Sequence, residues 1–208
     1  MQGRIVFLLA VLLFATQRVE AFIAINEILA DPATDLTGDA NQDGIRDGND
    51  DEFVELINFG ATSVDISGWY ISDAVSARHI FSANTFLDPY AYLVVFGGGT
   101  PQLPEVNTLT ASSGLLGLNN TGDTVSLFDL NDQLITQVIY GPLAGHDEAI
   151  VRSPEVSGVF VLHSTVQEGL FSPGSGGIRP PLANTVVPEP ASILTFALGS
   201  LAILRRKP

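Results

Sequence analysis

Eight acidic residues lie between Asp31 and Glu52, and Arg46 is the single basic residue among them. The stretch "GDANQDGIRDGND", residues 38–50, places oxygen-bearing side chains at alternate positions along much of its length. Calcium takes about six to eight hard oxygen ligands, and a wound loop with this spacing can bring them to one point. The types and spacing of these residues therefore indicate a cation-binding loop.

The loop has the ligand spacing of an EF-hand when it is numbered from Asp39. Gly44 falls at position 6, where the chain must turn sharply, and position 12 is Asp50 rather than the usual Glu, so Asp51 or Glu52 can replace it as the closing ligand. The sequence predicts a calcium site. The predicted ligands are Asp39, Asn41, Asp43, the Ile45 carbonyl, Asp47, Asp50 and Glu52.

No helical pattern flanks the loop, and a strand pattern follows it directly. We therefore expect a structural ion that fixes the loop to the next strand, without the groove opening of calcium sensors. Two alternatives remain open at this stage. The loop could be a solvated acidic segment with no ion, or it could bind magnesium.

The elements that position this loop read as short strands. β-Branched and aromatic runs alternate with turn residues, and no long segment has a 3.6-residue apolar period. The runs are residues 22–29, 52–59, 64–72, 78–83, 90–96, 124–130, 133–140, 148–153 and 159–166. About nine such strands predict an all-β, antiparallel β-sandwich.

Several of these runs are similar to the lamin tail domain. The resemblance covers residues 22 to about 141 and is sharpest at Asn26-Glu27, at "ELIN" (55–58) and at Ser67-Gly68-Trp69. It implies an immunoglobulin-like sandwich, in which Trp69 is expected in the core, but it implies no particular activity. The acidic loop, residues 38–52, is an insertion relative to that pattern.

Composition narrows the functional classes. The chain has 208 residues, a net charge of -14 and no cysteine. A strongly acidic chain does not suit nucleic acid, whose phosphates require a basic surface. The absence of cysteine excludes disulfides and thiolate metal sites.

The N-terminal residues have the pattern of a secretory signal peptide. Arg4 precedes an apolar run at residues 5–15, and short side chains lead to Ala21. We expect signal peptidase to cleave after Ala21, which makes residues 1–21 the signal peptide. An uncleaved anchor or a buried helix is the alternative.

At the C-terminus, Pro188, Glu189 and Pro190 precede a short apolar helix, and the basic cluster Arg205, Arg206 and Lys207 follows. This combination resembles a PEP-CTERM sorting signal. The resemblance implies an exosortase as partner in a Gram-negative envelope, removal of the tail after transient inner-membrane anchoring, and association with exopolysaccharide. An ordinary tail anchor is the alternative.

Four segments result: a signal peptide (1–21), a sandwich domain (22–168), a Pro/Gly-rich linker (169–187) and the sorting signal (188–208). The sequence contains no zinc-helix motif, nucleophile elbow or phosphate loop. We expect an exported, non-enzymatic structural or adhesive protein of the extracellular or exopolysaccharide matrix. An exopolysaccharide-binding module using Tyr90 and Tyr92 is the alternative, and a carboxylate-based hydrolase is a third reading.

Overall fold

The computed structural model describes residues 22–175, which form twelve short β-strands and three single turns of 3-10 helix. The strands are β1 (Ile23–Leu29), β2 (Phe53–Asn58), β3 (Val64–Asp65), β4 (Tyr70–Ser72), β5 (Ala77–Ile80), β6 (Phe86–Leu87), β7 (Tyr92–Phe96), β8 (Thr108–Thr110), β9 (Asp123–Phe128), β10 (Leu134–Tyr140), β11 (Ile150–Ser153) and β12 (Val159–Leu162). The all-β prediction is confirmed.

Two main sheets face each other. Six strands form the larger sheet in the order β12-β11-β1-β2-β7-β8, and four form the smaller one in the order β10-β9-β4-β5. Neighbours are antiparallel except β7 and β8, which run parallel. The arrangement is consistent with a β-sandwich.

The main core lies between these sheets because alternate side chains of each strand point to opposite faces. Val54 and Leu56 of β2 enter it from one sheet, and Val125 and Leu127 of β9 enter it from the other. Trp69 packs in the same cluster, as expected. Burial of this apolar surface is the main stabilising contribution to the fold.

The larger sheet is also covered on its outer face. A β-bulge at Asn26 shifts the register of β1, so that Glu27 lies opposite Glu55 and Leu29 opposite Phe53. These side chains point away from the main core, towards a second apolar cluster that includes Phe53 and Phe96. Both faces of the central strands are therefore buried.

Several predicted boundaries change in the structure. The run 64–72 splits into β3 and β4, because the chain turns at Gly68 with φ of +76°. The last run ends at Leu162 and continues as a 3-10 turn at His163–Thr165. The runs 124–130 and 133–140 form a hairpin that turns at Asn131-Asp132, where β9 pairs with β10 and Asp132 has φ of +61°.

The packed domain extends beyond the predicted boundary at residue 168. Residues 170–175, here named the strap, contain no strand or helix but lie against the larger sheet. The amide of Ala149 donates to the carbonyl of Leu170, and the ring of Phe171 contacts Phe53. The start of the linker therefore belongs to the domain, because apolar and polar contacts retain it there.

The signal peptide, including Ala21, and the sorting signal, including Pro188, Glu189, Pro190, Arg205, Arg206 and Lys207, lie outside the described residues. Their predicted roles rest on sequence. Within residues 22–175, no helix is long and apolar enough to cross a membrane.

Candidate metal centre in the acidic loop

The acidic loop is wound by its own side chains. Asp39 Oδ2 accepts a hydrogen bond from the amide of Gly44 at 3.0 Å, which closes a turn over residues 39–44. Asn41 Oδ1 accepts from the Asp43 amide, and Asp43 Oδ1 accepts from the Ile45 amide. Short polar side chains favour such turns because they bond the backbone two residues on. The predicted positions 1 to 7 are thereby curled together.

Asp47 and Asp51 hold the second half of the loop. Asp47 Oδ1 accepts from the amides of Asn49 and Asp50, at 2.8 Å and 3.2 Å. Asp51 accepts from the amides of Asn41 and Asp47, which joins the beginning of the loop to its end. Asp51 is fully buried at this junction, and it therefore braces the loop.

A glycine segment after β7 packs directly against the loop. A Cβ on Gly99 would lie 2.4 Å from Asn41 Nδ2 and 2.6 Å from Asp43 Oδ2, and one on Gly98 would lie 2.1 Å from Asp50 Oδ1. The amide of Thr100 donates to Asp43 Oδ2 at 3.0 Å. Residues without side chains are required here because the loop approaches the backbone this closely.

The carboxylates influence one another. Burial, together with the charges of Asp47 and Asp43, raises the pKa of Asp50. Burial also raises the pKa of Asp51, against the lowering effect of its backbone hydrogen bonds. A bound cation would remove this repulsion, because an opposite charge favours the ionised form.

Two polar atoms at the centre of the loop have no partner within residues 22–175. They are Asp39 Oδ1 and Asn41 Nδ2, and Asn41 is fully buried. Buried polar atoms are usually satisfied, so the unpartnered carboxylate oxygen fits a site that takes a cation. No three His, Asp or Glu side chains among these residues already converge as a ready metal site. Calcium binding would therefore require the carboxylates to move closer together.

The structure places the other predicted ligands in different environments. Ile45 is exposed within the loop. Glu52 is buried, and its carboxylate accepts from the amide of Leu118 at 3.1 Å. Burial raises the pKa of Glu52 to about 7. The structure thus brings Asp51 into the loop, whereas Glu52 bonds to the segment before β9.

Comparison with protein-family models identifies the family of this chain. The lamin tail domain model matches residues 16–142, more than half of the chain. The chain belongs to the lamin tail domain family. The PEP-CTERM protein-sorting motif matches residues 186–207, and no curated protein matches the chain.

The motif implies processing by an exosortase, with export and sorting to the cell surface. A lamin tail domain joined to a sorting motif suggests a structural, non-enzymatic protein.

Sequence reasoning missed a buried carboxylate pair in this lamin tail domain. Glu27 and Glu55 lie within strand patterns, yet both are fully buried and lie directly opposite each other on β1 and β2. Burial raises the pKa of Glu27 to about 7. Burial and the charge of Glu27 raise the pKa of Glu55 well above its usual range. Burial and the proximity of the two carboxyl groups therefore both favour the protonated form.

The strap covers this pair. Glu27 accepts from the amide of Ser172 at 2.8 Å and from its hydroxyl at 2.9 Å. Glu55 accepts from the amide of Gly174 at 2.7 Å and from the Asn26 side chain at 2.9 Å. These four hydrogen bonds all come from neutral donors. Each of them reduces the cost of burying the carboxyl groups without supplying a counter-charge.

The tyrosines suggested for polysaccharide binding do not form a row on one strand. Tyr90 precedes β7 and has φ of +60°. Tyr92 is half-buried, and its hydroxyl donates to Glu155. This aromatic surface therefore gives no support to the polysaccharide-binding alternative.

Proposed function

We propose that this protein is an exported structural or adhesive component of the extracellular matrix, whose lamin tail domain is stabilised by calcium in the acidic loop. The role follows from a sandwich domain combined with a sorting motif that directs the chain outwards. We further propose that the envelope is Gram-negative and that the tail anchors the chain transiently in the inner membrane. Signal peptidase and an exosortase are its processing partners.

The single observation that supports calcium most is the geometry around Asp39. Its Oδ2 fixes the turn to Gly44, while its Oδ1 is buried without a partner. Asp43, Asp47 and Asp50 stand near enough to affect one another's ionisation. These are hard oxygen donors, which suit Ca²⁺ better than softer metals.

The proposed ligands are Asp39, Asn41, Asp43, the Ile45 carbonyl, Asp47 and Asp50, with Asp51 bracing the loop. Glu52 becomes a ligand only if it releases Leu118. The role of the ion is structural: it would fix the loop between β1 and β2 against the glycine segment 97–99.

Thermal unfolding of the full chain, purified in a mild detergent, tests the ion. At calcium one hundred times the dissociation constant, binding adds about 2.7 kcal/mol to the free energy of unfolding. For a domain of this size the melting temperature should rise by roughly 5–10 °C between EDTA and calcium. Magnesium at the same concentration should give a smaller rise.

The paired variant Asp39→Ala plus Asp43→Ala should abolish the calcium effect. Asp88→Asn, which changes a carboxylate far from the loop in sequence, is the control and should retain it. Equal melting temperatures of the unmutated chain in EDTA and calcium would disprove the calcium role.

A further inference from the structure

A cavity of about 180 Å³ lies between β11, the β11–β12 turn and the strap. Polar side chains dominate its lining, among them Asn26, Arg152, Glu155 and His163, and Ser172 of the strap forms part of the wall. Its rim includes the exposed residues Val166 and Gln167. An apolar cavity of about 150 Å³ accommodates a benzene ring, so this one has room for a single six-membered ring.

His163 supplies an unused acceptor at this cavity. Its side chain is only 1% exposed. Nδ1 lies 3.0 Å from the carbonyl oxygen of Gly169, which can only accept, so Nδ1 carries the hydrogen in the neutral ring. Nε2 is buried and has no hydrogen-bond partner within the described part of the chain. A lone pair left unpaired in this way indicates a missing hydrogen-bond donor.

The turn between β11 and β12 directs Glu155 inwards at a conformational cost. Val156 has φ of +68°, a region that β-branched residues rarely adopt. Its amide donates to Asn26 Oδ1 at 3.2 Å, which connects the turn to the bulge of β1. Local strain of this kind is concentrated at functional sites. The strained turn places Glu155 beside Asn26 and Tyr92.

The residues that line the cavity offer both donors and acceptors. Glu155 accepts from Asn26 and Tyr92 through Oε1, and within residues 22–175 its Oε2 is unbonded. Arg152 uses Nε and Nη1 for the carbonyls of Ile25 and Gly158, which leaves Nη2 as a donor. The Gln167 amide at the rim can donate and accept.

This chemistry favours a neutral ligand that carries several hydroxyl groups. The charges of Arg152 and Glu155 oppose each other at the cavity, so neither an anion nor a cation gains strongly from entering. Hydroxyls both donate and accept, which suits a lining where a carboxylate oxygen, an imidazole nitrogen and a guanidinium are all available. Size and polarity together match one sugar ring.

We propose that this cavity binds a single neutral sugar residue, with Glu155 and His163 accepting from its hydroxyl groups and Arg152 and Gln167 donating to them. The site uses none of the acidic-loop residues. It therefore goes beyond the calcium-stabilised structural role and does not depend on it.

The full chain in a polyoxyethylene detergent, which carries no sugar headgroup, is suitable for the test. Saturation-transfer NMR would be recorded with glucose, galactose, mannose, N-acetylglucosamine and sorbitol, in EDTA and again in calcium. Glycine and inorganic phosphate serve as zwitterionic and anionic probes. We expect millimolar binding of at least one sugar in both buffers, and none of glycine or phosphate.

Two variants locate the site. Glu155→Gln should weaken sugar binding about tenfold, the ratio that corresponds to 1.4 kcal/mol. Gln167→Ala, at an exposed position that is not expected to affect folding, should weaken it several-fold and decides the question alone if the first variant misfolds. Glu105→Gln is the matched control because it makes the same change at an exposed residue elsewhere, and it should bind as the unmutated chain does.

Three results would overturn the proposal. The first is the absence of saturation transfer to every sugar and to sorbitol. The second is sugar binding that neither variant weakens, and the third is binding of glycine or phosphate alone. Loss of the calcium effect on melting, with sugar binding intact, would contradict only the role of the acidic loop.

Discussion

Replacing Glu27 by Gln should make the domain more stable at alkaline pH. Gln has the same shape, and its carbonyl oxygen can still accept from the Ser172 amide. The Ser172 hydroxyl, which donates to Glu27, can rotate and accept from the new amide group. The substitution thus removes the ionisable group while its neighbours remain bonded.

The magnitude follows from the raised pKa. Burial moves the pKa of Glu27 from 4.5 to about 7, and each pKa unit corresponds to about 1.4 kcal/mol. A raised pKa means that the folded state binds the proton more tightly, so the stability it contributes is complete below pH 4.5. That contribution falls as pH rises and is lost above pH 7. The unmutated domain should therefore lose about 3 kcal/mol across this window because of Glu27.

The measurement is denaturant unfolding of the full chain in detergent and EDTA at pH 5, 6, 7 and 8. Fluorescence of Trp69, the single tryptophan and a buried one, reports unfolding. The free-energy difference between Glu27→Gln and the unmutated chain cancels the titration of the groups that do not interact with Glu27. We expect near-equal stabilities at pH 5 and a gain of about 2–3 kcal/mol for the variant at pH 8.

Glu105→Gln is the control and should show no such trend, because Glu105 is exposed. A difference between Glu27→Gln and the unmutated chain that stays constant from pH 5 to pH 8 would refute the reasoning. It would mean that Glu27 is as well solvated in the folded domain as in the unfolded chain.

Two further substitutions test the packing around the loop and the strap. Gly99→Ala should lower the melting temperature and weaken the calcium response, because its Cβ would lie 2.4 Å from Asn41 Nδ2. Gly114→Ala is the control for backbone strain, since Gly114 also has a positive φ but has open space around it. Equal effects of the two substitutions would contradict the close approach of Gly99 to the loop. Phe171→Ala should lower the free energy of unfolding by about 2 kcal/mol, roughly half the value for a fully buried phenylalanine, because Phe171 is partly buried. An unchanged denaturation midpoint would show that the strap does not contribute to stability.

The strands were predictable where the sequence alternates. Residues 52–59 alternate between Val54 and Leu56 on one side and Phe53 on the other, and this pattern identified β2. β8 was missed because Thr108–Thr110 is short and mostly polar, and it is held by parallel pairing with β7. A strand of that kind exists only through its neighbour, which no local pattern reports.

The turn within the acidic loop could be predicted from the residue spacing, whereas the packing of other segments against the loop could not. The turn from Asp39 to Gly44 follows from local residue types. The packing of Gly99 against the loop depends on the pairing of Phe53 with Phe96, which positions both segments at one end of the larger sheet. Metal binding by the predicted ligands stays a prediction.

The buried carboxylates were unpredictable for a related reason. Glu27 and Glu55 look like solvent-facing strand residues because nothing near them in sequence covers them. Their cover is Ser172, which lies 145 residues from Glu27 along the chain. Burial by residues so far away along the chain depends on the tertiary structure, which local sequence patterns do not report.

The strap also limits the distance that the segment between the domain and the sorting motif can span. Twelve residues, 176–187, lie between Ser175 at the end of the strap and the motif at Pro188. Fully extended, they span at most about 40 Å. Release of the strap back to Leu170 would add roughly 20 Å. Under the proposed anchoring of the tail, the docking of Ser172 on Glu27 would therefore limit how far the domain can lie from the membrane.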